Sequence, residues 1–434
     1  MDSIKQPTNK IPISVIASCF IAGGLEMYDF LIFGFLASVI HKNYLSFLDK
    51  DMALIVTYLF FAVGFFFRPL GSIIFGQIGD RYGRKIALVL SVSCMGIASL
   101  TMSLLPSYEL IGIAACFIIV LVRIIQGLSV GGEYSGAIIY AMEHIDKKNV
   151  GIVGGTVLCG CTLGVILAFI VSKTLQSDSL PSYSWRFAFL LGFGLSIVGY
   201  FIRRKLRETP IFQASASLRL KLPLLYGLKK LKIKMLSAVC LAGASNANFY
   251  FAMVFIPNYL KGEQLGNTGF SGLFLISLMF CMVPVVGWLC DNISRRNIIA
   301  LSILMIGLYD LFFLSLVMNT ADSQLVTLYT IFYAMLLSVV LVVSNVLILE
   351  VFPVECRFSC GATSYSIGAA LFGGTAPVIC SLIVKTYEYN VFYIGLYIAF
   401  VSLLGLGGAL VLFPKRSKTT DESLSTKMSE PEYS

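Results

Sequence analysis

Apolar residues in this chain come in continuous runs near twenty residues long, separated by short polar intervals, with no strand-like alternation. A helix of about 20 residues at a 1.5 Å rise crosses the ~30 Å hydrocarbon layer of a bilayer. Inside lipid the backbone must satisfy its own polar groups, so runs that do not alternate predict helices rather than a barrel. Twelve spans are expected, beginning near Ile13, Met52, Ile86, Leu110, Gly151, Arg186, Met235, Phe270, Ile298, Leu325, Cys360 and Val391. The first has no small-residue cleavage site behind a short apolar core and reads as a retained span.

One polar interval is much longer than the rest, and it divides the spans six and six. The expected units are an amino-terminal bundle (1–202), a linker (203–234), a carboxyl-terminal bundle (235–414) and a polar tail (415–434) whose composition predicts disorder. The two halves echo each other. "GQIGDRYGRK", Gly76 to Lys85, returns as "GWLCDNISRR", Gly287 to Arg296, and the segment beginning at Glu143 is echoed by "EVFPVECR" from Glu350. A duplication in the same orientation is the pattern of two pseudo-symmetric six-helix bundles around a central site, an all-α integral membrane fold.

Composition agrees: 57% of the 434 residues are hydrophobic and only 13% charged, where soluble chains carry about 25% charge. Most of the 32 Lys and Arg fall in the termini and even-numbered loops, whereas Lys42, Lys50, Lys173, Lys261 and Lys385 lie opposite. That bias predicts cytoplasmic termini in a multi-pass cell membrane protein, bacterial inner membrane by expectation. It also accounts for the net charge of +9 without invoking nucleic acid. Most of the eleven cysteines lie within spans, and the two histidines, His41 and His144, lie near loops without metal-ligand spacing. Disulfides, metal sites, cofactors and enzymatic chemistry are therefore not expected.

The repeated loop has its own logic. Gly76 and Gly287 permit close helix approach, Asp80 and Asp291 can accept hydrogen bonds at a helix end, and Arg81, Arg84, Lys85, Arg295 and Arg296 can anchor the loops at an anionic leaflet. Topology alone explains the basic residues but not the repeated Gly and Asp, so a gating role is expected. With this loop the sequence resembles the major facilitator superfamily. Within it, the chain is similar to the metabolite:proton symporters, which include proline/betaine, α-ketoglutarate, citrate and shikimate permeases. The matching segments are "EMYDF" (Glu26 to Phe30), "RPLGSIIFGQIGDRYGRK" (Arg68 to Lys85), "QGLSVGGEYSGA" (Gln126 to Ala137), "WRFAFLLG" with "RETPIF" (Trp185 to Phe212), and "EVFPVECRFS" with "FGGTAP" (Glu350 to Pro377). The resemblance implies alternating access and proton-coupled uptake. "DNISRR" departs from the family pattern, lacking the usual Gly before its arginines. Gly160 is followed by Cys161 rather than the Pro typical of proton-coupled drug exporters, which speaks against export.

Helical rise places Glu26, Arg68 and Arg123 near the bilayer midplane, where a lone charge costs at least about 2.5–3.5 kcal/mol. They should face each other or a wet cavity. Glu26 and Asp29, three apart, are expected on one helix face, one of them carrying the proton and Arg123 or Arg68 stabilising the emptied carboxylate. A permanent structural ion pair is the competing reading. Glu133 lies ten residues past Arg123 and too far along the helix to pair with it, as an inner gate or second relay. Gly127 with Gly131, Gly132 with Gly136, Gly151 with Gly155 and Gly160 with Gly164 read as packing faces. Tyr28, Gln126, Asn246, Asn248 and Tyr250 are candidate substrate contacts, and Asp310 has no evident function.

The expected function is a monomeric, proton-coupled importer of a small polar metabolite. With three acids facing two bases, a proline- or betaine-like zwitterion is favoured over an organic acid such as α-ketoglutarate, citrate or shikimate. A non-transporting sensor on a transporter fold is the alternative of another class.

Overall fold

The computed structural model describes residues 13–145, 149–177, 179–215, 220–256, 272–318, 323–387 and 390–413. Among them the apolar runs form twelve long helices and no strand. They are α1 (Ile13–Phe35), α2 (Lys50–Arg81), α3 (Arg84–Leu104), α4 (Ala114–Met142), α5 (Val150–Leu175), α6 (Arg186–Lys205), α7 (Lys232–Phe255), α8 (Gly272–Asn292), α9 (Arg295–Met318), α10 (Ser323–Glu350), α11 (Arg357–Thr386) and α12 (Phe392–Leu412). Eleven are long and apolar enough to cross a membrane. The other, α9, is of similar length but opens on Arg295 and Arg296 and carries Asp310. Large apolar side chains such as Phe66, Phe117, Leu236 and Phe312 are strongly exposed on the outer faces, where lipid rather than water covers them.

Within each bundle one helix pair packs side by side at the periphery, α3 on α6 and α9 on α12. Across the bundle boundary the main contacts are α5 with α8 and α2 with α11, equivalent pairs under the internal repeat. Without a hydrophobic drive between helices in lipid, close packing needs small residues at the crossings. A Cβ on Gly127 would strike the Gly64 backbone, and one on Gly131 the Arg68 carbonyl, so α4 lies directly on α2. Helix α5 uses its glycines on two sides. Gly160 and Gly164 rest on Phe20 and Gly24 of α1, whereas Gly151 and Gly155 meet Gly287 of α8 in the other bundle.

Two helices leave α-geometry within the membrane, with π-turns at Phe251–Phe255 in α7 and Ala369–Gly373 in α11. The interval between bundles carries short helices at Pro210–Ala214 and Pro223–Lys230. One boundary corrects the sequence reading: α6 continues to Lys205, so Arg203 is not a linker residue but a helical side chain only 2% exposed. The tail, the first twelve residues, and the basic residues Lys147, Lys148, Arg219 and Lys261 lie outside the described residues.

Candidate functional site

Helices α1, α2, α4 and α5 of one bundle and α7, α8, α10 and α11 of the other surround a central cavity of about 50 Å³. Its polar lining is Arg68, Tyr134, Thr162, Asn246, Tyr250 and Tyr365, and its apolar lining includes Met27, Leu158, Val165, Phe249, Ile276 and Leu341. At roughly 10–15 Å³ of such space per water, it holds about three to five waters. A metabolite enters only if the walls move.

Arg68 is the charged group on this wall. Its Nη2 stands 3.6 Å from Glu26 Oε1, and both side chains are buried. Neither Glu26 oxygen has a hydrogen-bond partner, so the ion pair is loose. Tyr250 lines the same cavity wall as Arg68, and the guanidinium also stacks over Phe30 and Phe65. Tyr365 donates to Asn246 Oδ1 (3.4 Å) and packs its ring 5.3 Å from that of Tyr134. Tyr134 in turn accepts from Asn345 of α10, which joins the bundles beneath the cavity.

The other midplane charges are resolved separately. Asp29 does not share the Glu26 face: it turns toward α3 and α6, accepting from Ser99 (2.7 Å) and Ser196 (3.3 Å). Three residues correspond to a 60° offset around a helix, enough to split the two acids between neighbours. Arg123 reaches neither acid. It donates to Gln126 Oε1 (2.7 Å) and to the Phe60 and Phe61 carbonyls of α2, within a cage of Phe30, Phe33 and Phe61 rings. The expectation that Arg123 faces a carboxylate is corrected: aromatic faces and carbonyl dipoles stabilise its charge instead. Glu133 pairs with Arg203 at 2.8 Å, and Arg203 also donates to the Leu88 carbonyl.

Of the five candidate substrate contacts, only Asn246 and Tyr250 line the cavity. Tyr28 donates to the Ala188 carbonyl inside the first bundle, and Gln126 is held by Arg123. Asn248 faces away, donating to Ser402 of α12 and accepting from Tyr333 of α10, because it is two residues, about 200°, from Asn246. Asp310 accepts from Tyr329 (2.6 Å), a tie between α9 and α10. Sequence reasoning missed Tyr134, Tyr365 and Arg203. Tyr134 had a visible signal, a polar-tipped aromatic beside Glu133 in a glycine-rich helix, whereas Tyr365 had none.

Both repeated loops lie at one end of the molecule, here called the basic end. Asp80 accepts from the amides of Phe358 (3.1 Å) and Ser359 (2.7 Å) at the start of α11. Asp291 accepts from Gly151 (2.6 Å) and Ile152 (2.9 Å) at the start of α5. Each carboxylate thus takes two otherwise unsatisfied helix N-terminal amides of the opposite bundle, where the helix dipole also favours it. Arg84 binds Asp80 (3.0 Å) and Glu143 (3.1 Å), and Arg357 adds a second cation to Glu143 (3.2 Å). Arg295 bridges Asp291 (3.5 Å) and Glu350 (2.6 Å). Gly76 lets α2 lie against the Ser359 backbone, and the Lys85 amide is capped by Glu208. Arg296 is half-buried at the start of α9.

Two bundles that enclose a small polar cavity and are latched together at one end define a membrane carrier. The chain belongs to the Major Facilitator Superfamily, whose sequence profile matches residues 19–359. It is 27% identical over 414 residues to the glycine betaine/proline/ectoine/pipecolic acid transporter OusA of Dickeya dadantii and 28% identical to the proline/betaine transporter of Escherichia coli; each match covers 90% of this chain and 81% of the relative. The fold is similar to that of the proton:xylose symporter XylE bound to 6-bromo-6-deoxy-D-glucose, with a TM-score of 0.73 at 15% identity over 94% of this chain and 96% of that one. It is also similar to the human organic anion transporter MFSD10, with a TM-score of 0.68 at 13% identity over 93% and 100%. Family and relatives are transporters, not enzymes.

Proposed function

We propose that the chain takes up a small zwitterion, an amino acid or a betaine-like solute, together with a proton, by alternating access in a bacterial inner membrane, with the basic end toward the cytoplasm. The observation that carries this reading is the loose Glu26–Arg68 pair on the cavity wall. While Glu26 is ionised it neutralises Arg68. Once it takes a proton, the guanidinium lacks a counter-charge, and a substrate carboxylate is the group that restores neutrality. The cationic end of the solute then meets the rings of Tyr134, Phe249, Tyr250 and Tyr365, which suit a poorly hydrated ammonium. Loss of the proton on the far side returns Glu26 to Arg68 and displaces the carboxylate.

The charge balance of the cavity also favours a zwitterion. Glu133 is matched by Arg203, Asp29 is held by hydroxyls, and Arg123 is committed to α2. One acid and one base remain, which suits one carboxylate and one cation better than a dicarboxylate or tricarboxylate. The names of the relatives OusA and the Escherichia coli transporter support the same class.

The test is uptake by purified protein in liposomes with an imposed proton gradient, using proline, glycine betaine, citrate, α-ketoglutarate and shikimate. Proline or betaine is expected to accumulate. Glu26→Gln should reduce uphill accumulation at least about tenfold, the loss of one coupled step worth 1.4 kcal/mol or more, while exchange of labelled for unlabelled substrate persists. Undiminished uphill uptake by Glu26→Gln overturns the coupling assignment. Failure of every solute with the wild type overturns the transport reading and favours a sensor.

A further inference from the structure

Residues 220–236 contain no Asp or Glu and five lysines: Lys221, Lys229, Lys230, Lys232 and Lys234. All five are exposed, and none is in an ion pair among the described residues. The helix Pro223–Lys230 runs through this stretch. Its inner side is seated on the protein: Pro223 and Gly227 are buried, a Cβ on Gly227 would meet the Cys360 sulfur, and that thiol donates to the Pro223 carbonyl (3.9 Å). Cys360 follows directly on Phe358 and Ser359, the two residues whose amides Asp80 holds. The outer side shows Leu222, Leu225, Tyr226 and Leu228, each 40–54% exposed.

Apolar side chains and lysines so interleaved, on a short helix, are the chemistry of the membrane–water boundary. The position agrees. The helix leads within two residues into α7, whose Ile233 and Leu236 are 65% and 66% exposed on its lipid-facing side, so the exposed leucines extend a lipid-facing surface into the headgroup layer. We propose that Pro223–Lys230 lies in that layer as a binding site for anionic phospholipid, and that lipid bound there stabilises the conformer in which Asp80 holds α11. Five uncompensated lysines select the anionic headgroup, and the leucines select a bilayer over a soluble acidic partner. Because the same helix rests on the start of α11, lipid that fixes its position fixes the Asp80 acceptor as well.

The probe is the full chain in vesicles of phosphatidylcholine with or without phosphatidylglycerol, brominated on the acyl chains of one lipid or the other. An indole introduced by Tyr226→Trp, with Trp185→Phe and Trp288→Phe to remove background, should be quenched by brominated phosphatidylglycerol at a mole fraction at least about tenfold lower than by brominated phosphatidylcholine. Changing Lys229, Lys230, Lys232 and Lys234 to Gln should remove that preference. In the wild type, maleimide labelling of the buried Cys360, followed by peptide mass spectrometry, should slow as the phosphatidylglycerol fraction rises, and in the lysine variant it should not. Equal quenching by the two lipids overturns the site. A lipid preference without any change in labelling overturns the coupling to the lock. Neither readout uses a substrate or depends on which way the protein inserts, so failure here is distinct from failure of the transport assignment.

Discussion

Asp80 and Asp291 perform the same local act, each carboxylate holding two amides at the start of a helix in the opposite bundle. Their surroundings differ. Around Asp80 the central pair is inside: Arg84 and Glu143 have fully buried side chains, Arg84 also donates to the Val354 carbonyl across the boundary (2.9 Å), Thr209 donates to Glu143 (2.6 Å), and Arg357, 14% exposed, joins from α11. Around Asp291 the supporting pair is partly exposed, Arg295 by 19% and Glu350 by 27%, and both belong to the second bundle. Buried charges lose much when a partner goes, whereas exposed pairs are worth little. The repeat therefore supplies two cross-bundle contacts of one design but unequal burial, and if the basic end opens, the first is expected to limit it.

The largest effect is expected from Asp80→Ala. It removes two amide acceptors and leaves Arg84 short of one buried counter-charge, at a cost to the closed conformer of about 3–5 kcal/mol. The expected readout is maleimide labelling of Cys360 faster by at least about 100-fold, since each 1.4 kcal/mol is a factor of ten, with uptake strongly impaired. The paired change Asp291→Ala removes the same two bonds without stranding a fully buried cation. About 1.5–3 kcal/mol is expected for charge-assisted hydrogen bonds, read out at Cys290, which is buried beside Asp291. If the two variants opened the basic end equally, burial of the first network would have no energetic consequence and the asymmetry would be wrong.

Much of this was legible in the sequence, for a physical reason. Charges and glycines are costly in a membrane helix, so their recurrence at the same offset in both halves marked the loops, and apolar run length marked the spans. Depth along a helix could be computed, but direction around it could not. Glu26 and Asp29 lie at nearly one level yet face different helices, and Asn246 lines the cavity while Asn248 does not. Pairing was less visible still. Arg203 meets Glu133 from 70 residues away, and only knowledge that α6 carries it past the polar boundary into the bundle would have joined them.

A third change uses the one residue that the second loop lacks. Gly83 sits at φ +127°, ψ 147°, a conformation that side chains rarely adopt, and a Cβ there would run into the Glu208 carboxylate that caps Arg84 and Lys85. Gly83→Ala should cost about 1–3 kcal/mol through backbone strain, and the clash disturbs the Glu208 cap as well. In the other loop the position before the arginines is Ser294, which is exposed, and the positive-φ glycines among the described residues are Gly83 and Gly112. Ser294→Gly should therefore be close to neutral. Thermal unfolding in detergent separates the two: a lowered midpoint for Gly83→Ala and an unchanged one for Ser294→Gly.

Among the changes to the charged networks, the smallest effect is expected from Glu350→Gln. Glu350 occupies the place in the second network that Glu143 holds in the first, binding the arginine that follows the Asp. Glu143 is 2% exposed and shared by Arg84, Arg357 and Thr209, so its neutralisation removes a buried counter-charge from two cations at once, with Asp80 left as the acidic partner of Arg84. Glu350 serves Arg295 in partial contact with water, and Gln keeps an acceptor oxygen for the 2.6 Å contact. Its neutralisation should cost about 0–1 kcal/mol, a cost that salt screens further. Labelling of Cys290 should rise no more than about fivefold in Glu350→Gln at low salt and converge on the wild type as salt is raised. Glu143→Gln, read at Cys360, should show a larger and nearly salt-independent rise. A salt-insensitive effect of the same size in both variants would place Glu350 in a buried network in the working protein and make the two latches equivalent after all.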